Sequence, residues 1–170
     1  MLRVLVALPL ALAVTAAGGV SQARIDGWLA SSPQIVRTMR QAPDGRQHVH
    51  VDVDGADGGF VASDEAVEGV LATGQAVMVV PLLSGGTMGI NTTLLFTTLG
   101  GKTRFVGYVP SQNGHLDVRI DHGALLIRTP IYGPGSGGNC CPSDFHYERT
   151  TLRGIRLVTL KTWTAKAPKY

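Results

Sequence analysis

The chain has 170 residues, 44% of them hydrophobic, and a formal net charge of +3. That length suits one domain with an ordinary hydrophobic core. Residues 1–23 carry a single charge, Arg3, so the remainder stands at +2. So mild an excess, read as spread along the chain, excludes the clustered basic stripe with stacking aromatics that marks a nucleic-acid binder, and no nucleic-acid partner is expected.

The N-terminus has the parts of a secretory signal peptide. Met1-Leu2-Arg3 is a short positive start, and "VLVALPLALAV" (Val4 to Val14) is an apolar core too short to span a membrane comfortably. Small residues follow. Ser21-Gln22-Ala23 fits cleavage before Arg24, and Val14-Thr15-Ala16 with Ala17 offers an alternative site. The segment contains no cysteine, so no lipid is expected on a processed N-terminal cysteine. No later stretch is long and apolar enough for a transmembrane helix. An exported protein, periplasmic or secreted, is expected, with one globular domain over residues 24–164.

Residues 24–43 read as a short helical lead-in. Ser32-Pro33 suits a helix start, because serine caps and proline is tolerated in the first helical position. Ile35, Val36 and Met39 make a one-sided apolar stripe, with Trp28 and Leu29 packing beside it. "APDGR" (Ala42 to Arg46) turns the chain. "QHVHVDVD" (Gln47 to Asp54) then alternates with period two: Val49, Val51 and Val53 on one face, His48, His50, Asp52 and Asp54 on the other. "GADGG" breaks that strand. "SDEAVEGVLATG" reads as a second short helix, with Ser63 as cap, Asp64 and Glu65 in the first turn, Val67, Val70 and Leu71 as the buried stripe and Gly74 as the stop.

From Gln75 onward the pattern is β. "AVMVVPLL" is continuously apolar, so both its faces should be covered, and Pro81 places its end at an edge or bulge. "INTTLLFTTL", "TRFVGYV", "HLDVRID", "ALLIRTPIY", "SDFHYERTTL" and "IRLVTLKTW" follow, separated by glycine turns. One register is predictable. With His122-Gly123 as a two-residue loop, Asp121 faces Ala124, Ile120 faces Leu125, Val118 faces Ile127 and Asp117 faces Arg128. A one-residue slip would spoil every pair. "AKAPKY" (165–170) reads as a frayed tail. The expected fold is mainly β (α+β): an antiparallel meander of about six to eight strands, forming a curled sheet, small barrel or sandwich, after one or two short N-terminal helices.

The only cysteines, Cys140 and Cys141, are peptide neighbours in "GGNCCPSDF". Adjacent Cα atoms lie about 3.8 Å apart, below the roughly 4.4–6.8 Å of ordinary disulfides. Three states stay open: a strained vicinal ring that rigidifies a turn, an intermolecular disulfide, or thiols available for redox work or a soft metal. The stretch "YGPGSGGNCCPSDFHYERTTLRGIRLV" (Tyr132 to Val158), with its extended strand, Gly/Pro-rich loop, Cys-Cys-Pro-Ser and closing hairpin, resembles the C-terminal half of LppP/LprE-type exported proteins of bacteria. That resemblance implies a protein of the cell envelope and brings no established activity. This chain lacks the lipid-bearing cysteine of the lipoprotein members.

Metal ligands are the second candidate. His48, His50, Asp52 and Asp54 share a strand face and Asp57 follows, and an i, i+2 histidine pair can reach one ion. An EF-hand beginning at Asp52 fails, because its fifth, sixth and twelfth positions are Ala56, Asp57 and Ser63. Catalytic signatures are weaker. A nucleophile elbow at Ser136 would need glycine where Pro134 stands. His146 follows Cys141 but belongs to the Asp144/His146/Glu148 strand face. The sequence therefore points to a non-catalytic binding or structural domain without a cofactor, engaging another protein or an envelope component through a sheet face or the Cys-Cys loop. The alternative is a metal- or redox-active protein using Cys140/Cys141 or His48/His50/Asp52.

Overall fold

The computed structural model describes residues 20–84, 89–111, 116–134 and 141–168. Most of the expected signal peptide lies outside them, as does Cys140. One helix opens the fold, α1 (Gln22–Leu29). Ser21 caps it, its hydroxyl accepting from the Arg24 backbone N–H at 3.3 Å. Ile25, Trp28 and Leu29, at i, i+3 and i+4, form its buried stripe.

Of the lead-in expected over residues 24–43 only the part in α1 is helical; the helix start expected at Ser32-Pro33 and the second expected helix do not form. Ile35–Gln41 is strand β1, paired antiparallel with β2 (Gln47–Val53) around the expected 42–46 turn. Only Ile35 of the proposed stripe is buried; Val36 is 57% and Met39 61% exposed. A helix there would have needed all three covered, whereas an edge strand needs only a ladder, which β2 supplies, and β-branched Ile35, Val36 and Thr38 suit it. The second expected helix is a turn at 63–65 followed by β4 (Val67–Val70). Gly69 in its middle weakens a helix but fits a strand, where it sits against the Ile120 side chain.

The "GADGG" break is shorter than its composition suggests. Only Asp54 and Gly55 turn, and Gly58 and Gly59 lie inside β3 (Ala56–Val61). β5 (Ala76–Leu83), β6 (Ile90–Leu99) and β7 (Lys102–Pro110) complete a sheet ordered β1-β2-β3-β5-β6-β7. β3 and β4 follow one another along the same side of β5: β3 pairs with Leu82 and Leu83, β4 with Ala76 to Val79. Pro81 sits at the gap between them, where its missing N–H costs no ladder bond. Its carbonyl accepts from Ala62 across that gap at 3.0 Å.

A second antiparallel sheet contains β8 (Asp117–Asp121), β9 (Ala124–Ile131), β10 (Asp144–Arg153) and β11 (Arg156–Lys166), ordered β11-β10-β9-β8. The β8–β9 register is the one expected, pair for pair. His122 and Gly123 both have positive φ, 46° and 71°, as the tight hairpin turn requires. Arg128 pairs with Asp117 at 3.3 Å. The described chain thus has eleven strands, more than the six to eight expected. The fold is mainly β and antiparallel, without a closed barrel.

Two cores result. One lies between α1 and the larger sheet and contains Ile25, Trp28, Leu29, Val51, Met78, Val80, Leu94 and Phe96. The other lies between the larger and smaller sheets and contains Val77, Val79, Leu95, Val118, Leu125, Ile127 and Leu152. Alternate residues of β5 and β6 enter opposite cores, which is why "AVMVVPLL" lacks a polar face.

Candidate functional site

The histidine–aspartate row of β2 is dispersed by its neighbours. The His48 ring nitrogen Nε2 meets Asp44 in the β1–β2 turn at 2.9 Å. Asp44 also accepts from the Arg46 backbone N–H, and these two bonds hold its carboxyl below the usual range. Asp52 pairs with Arg40 on β1 at 2.9 Å. His50 packs edge-on against Phe60, 5.0 Å between ring centres, with Nδ1 3.5 Å from Asp52. Asp54 is exposed in the β2–β3 turn, and Asp57 is exposed on β3. The five expected ligands do not converge, and no group of three or more metal-ligating side chains does so among the described residues. His48, Asp44 and Phe60 instead line a cleft of about 380 Å³ with Pro43, Ser63 and Leu83.

Cys141 is exposed just before β10, and because Cys140 lies outside the described residues the expected bond between the two does too. The chain beyond it is anchored by Ser143. The Ser143 N–H donates to Ile131 O at 2.9 Å, its hydroxyl donates to the same oxygen at 3.2 Å, and its carbonyl accepts from Ala167 at 3.1 Å. Ser143 therefore enters β10 from between the ends of β9 and β11. Asp144, next in the chain, is held below the usual carboxyl range by Lys166 and then Ser143. β11 extends through Lys166, two residues into the expected frayed tail. His146 faces Glu148 at 3.5 Å.

The β10–β11 hairpin builds the most distinctive surface. β10 and β11 place Tyr147 opposite Trp163, and the rings stack at 5.1 Å with 4° between their planes. Phe145 lies edge-on to Tyr147, with the Arg128 guanidinium 4.8 Å from its centre. Lys161 sits 5.5 Å from the Trp163 ring. By strand alternation this row faces away from Leu125 and Ile127, that is, away from the inter-sheet core.

No protein family, curated protein or solved structure matches this chain.

Charge pairing across the smaller sheet is uneven. Its four acids are all engaged: on β8 Asp117 by Arg128 and Asp121 by Arg149, each at 3.3 Å, and on β10 Asp144 by Lys166 at 3.1 Å and Glu148 beside His146. By contrast, no ion pair to a carboxylate is found for Arg153, Arg156 or Lys161 among the described residues. No Asp or Glu follows Glu148, whereas Arg149, Arg153, Arg156, Lys161, Lys166 and Lys169 do. The positive excess is therefore gathered on the last hairpin, contrary to its expected spread. Sequence reasoning missed this surface. Its signals were present as the alternation Phe145, Tyr147, Arg149, its counterpart Lys161, Trp163, and the acid-free C-terminus. The register that joins the two is a property of the folded pair.

Among the described residues, no helix is long and apolar enough to cross a membrane.

Proposed function

We propose that this chain is an exported bacterial envelope protein that acts by binding another protein, without catalysis or a cofactor, and that the β10–β11 hairpin is its contact surface. The observation carrying this reading is β11, an eleven-residue strand at the margin of the smaller sheet with almost every residue exposed. The edge strand β1 is as exposed, but it carries no aromatic residue and its Arg40 is paired with Asp52. β11 instead presents Leu157, Leu160 and the stacked Trp163 alongside uncompensated cations. Cys141 lies just before β10 of the same sheet, and the Cys140-Cys141 pair is assigned a shaping role as a vicinal ring.

Cross-linking in cells tests the contact. A photoreactive phenylalanine analogue at Leu160 should give a discrete adduct, and the same analogue at Val36, equally exposed on β1, should give none. Equal labelling from both positions would sink the hairpin as the contact surface. Mass analysis of the exported protein tests the rest. The expected product has lost its N-terminal segment, shows no reactive thiols and is two hydrogens lighter than its reduced form. Cleavage near Ala17 preserves the Ser21 cap of α1, whereas cleavage before Arg24 removes it. Two reactive thiols with bound copper or zinc would replace the binding reading by a metal or redox one.

A further inference from the structure

We propose that the outer edge of β11 accepts an extended acidic segment of another protein as an added strand; this rests on the binding reading above and names the partner's chemistry. Among the described residues β11 pairs only with β10, so its far side carries unpaired backbone N–H and C=O groups. At about 3.3 Å per residue the edge is roughly 36 Å long. Such an edge is a template for strand addition, in which main-chain bonds supply affinity and side chains supply selection.

Charge selects the occupant. Arg156, Lys161 and Lys166 run along the strand without an acid between them, and only Lys166 has a carboxylate partner, Asp144 at 3.1 Å. A second copy added antiparallel about the strand's midpoint would set Lys161 against Lys161 and Arg156 against Lys166. Like charges directly opposite are destabilising, and lysines on an edge are a known guard against self-pairing. The same lysines favour an incoming strand rich in Asp or Glu. Residues 1–19, 85–88, 112–115, 135–140 and 169–170 contain no Asp or Glu, so none of them supplies that chemistry, and the occupant proposed is an acidic segment of another protein. The β11 bulge at Leu160, where the register with β10 shifts, twists the edge and further narrows which strand fits.

The test uses the full chain, labelled with ¹⁵N, and a short synthetic peptide alternating Glu with Val or Thr. Alternate amides of β11 should shift on titration. A peptide of equal charge interrupted by two prolines should bind at least about tenfold more weakly, because it cannot form the ladder. Lys161→Glu with Arg156→Glu should weaken the alternating peptide by a similar factor while leaving the amide spectrum of the larger sheet unchanged. Equal binding of the proline-interrupted peptide, or of poly-glutamate, would overturn strand addition and leave the hairpin standing as a charged contact surface. Sedimentation with vesicles containing a quarter phosphatidylglycerol, without any response to peptide, would overturn it in favour of a lipid surface. β11 shifts that depend on protein concentration alone would overturn it in favour of a second copy. Failure of the Leu160 cross-link as well would remove the binding reading itself.

Discussion

Phe96→Ala should lower the unfolding free energy by about 3–5 kcal/mol, the range for deleting a large aromatic from a packed core. Phe96 is fully buried on β6, with Trp28 of α1 edge-on at 6.2 Å and Phe105 of β7 at 5.4 Å. Removing its ring opens a cavity between the helix and the larger sheet, and the flanking strands cannot collapse into it because β6 is hydrogen-bonded on both sides. Against a total stability of about 5–15 kcal/mol for a domain, that is a large share. Urea unfolding should show a lower midpoint with an unchanged slope. Met39→Ala, at an exposed position on β1, should stay within about 0.5 kcal/mol of the parent. A loss below about 1 kcal/mol for Phe96→Ala would mean that α1 does not seal this core.

Gly59→Ala should cost about 1–3 kcal/mol by overpacking. A Cβ at Gly59 would lie 2.6 Å from the Leu83 carbonyl oxygen and 3.0 Å from Leu82 Cβ. The first obstacle is backbone, so it cannot swing aside as a side chain would. Relief would require β3 to move away from β5, where their pairing is limited to Phe60–Leu83 and Val61–Leu82. Gly27→Ala gives the opposite sign. Gly27 lies exposed inside α1, a Cβ there would meet nothing within 4 Å, and alanine should stabilise by up to about 1 kcal/mol through helix propensity. Thermal melts of the two variants side by side should move in opposite directions; a neutral Gly59→Ala would show that β3 and β5 are not held this close.

The charge excess and the histidine–aspartate row illustrate two limits of linear reading. Arg156 and Asp117 look like members of one mixed population along the chain, but each acid of the smaller sheet is met by a nearby cation or histidine, whereas Arg153, Arg156 and Lys161 of the last hairpin are left without a carboxylate among the described residues. His48, His50, Asp52 and Asp54 look like one ligand row, but each has a nearer neighbour from another segment: Asp44, Phe60, Arg40 or solvent. Residues that share a strand face are candidates for a site only when adjacent strands leave them unclaimed.

Local pattern alone determined the β8–β9 hairpin, the two-sided burial of β5 and the predominance of β structure. In each case the constraint is short-range: a two-residue turn sets the register, and a run without polar residues leaves no face for water. Tertiary structure decided the fate of residues 35–41 and 67–70, because an apolar spacing ambiguous between helix and strand is resolved by which neighbour offers a ladder. It also decided the hairpin surface. Tyr147 and Trp163 are sixteen positions apart in the sequence, and only the β10–β11 register, with its bulge at Leu160, stacks them beside unpaired cations on an open edge.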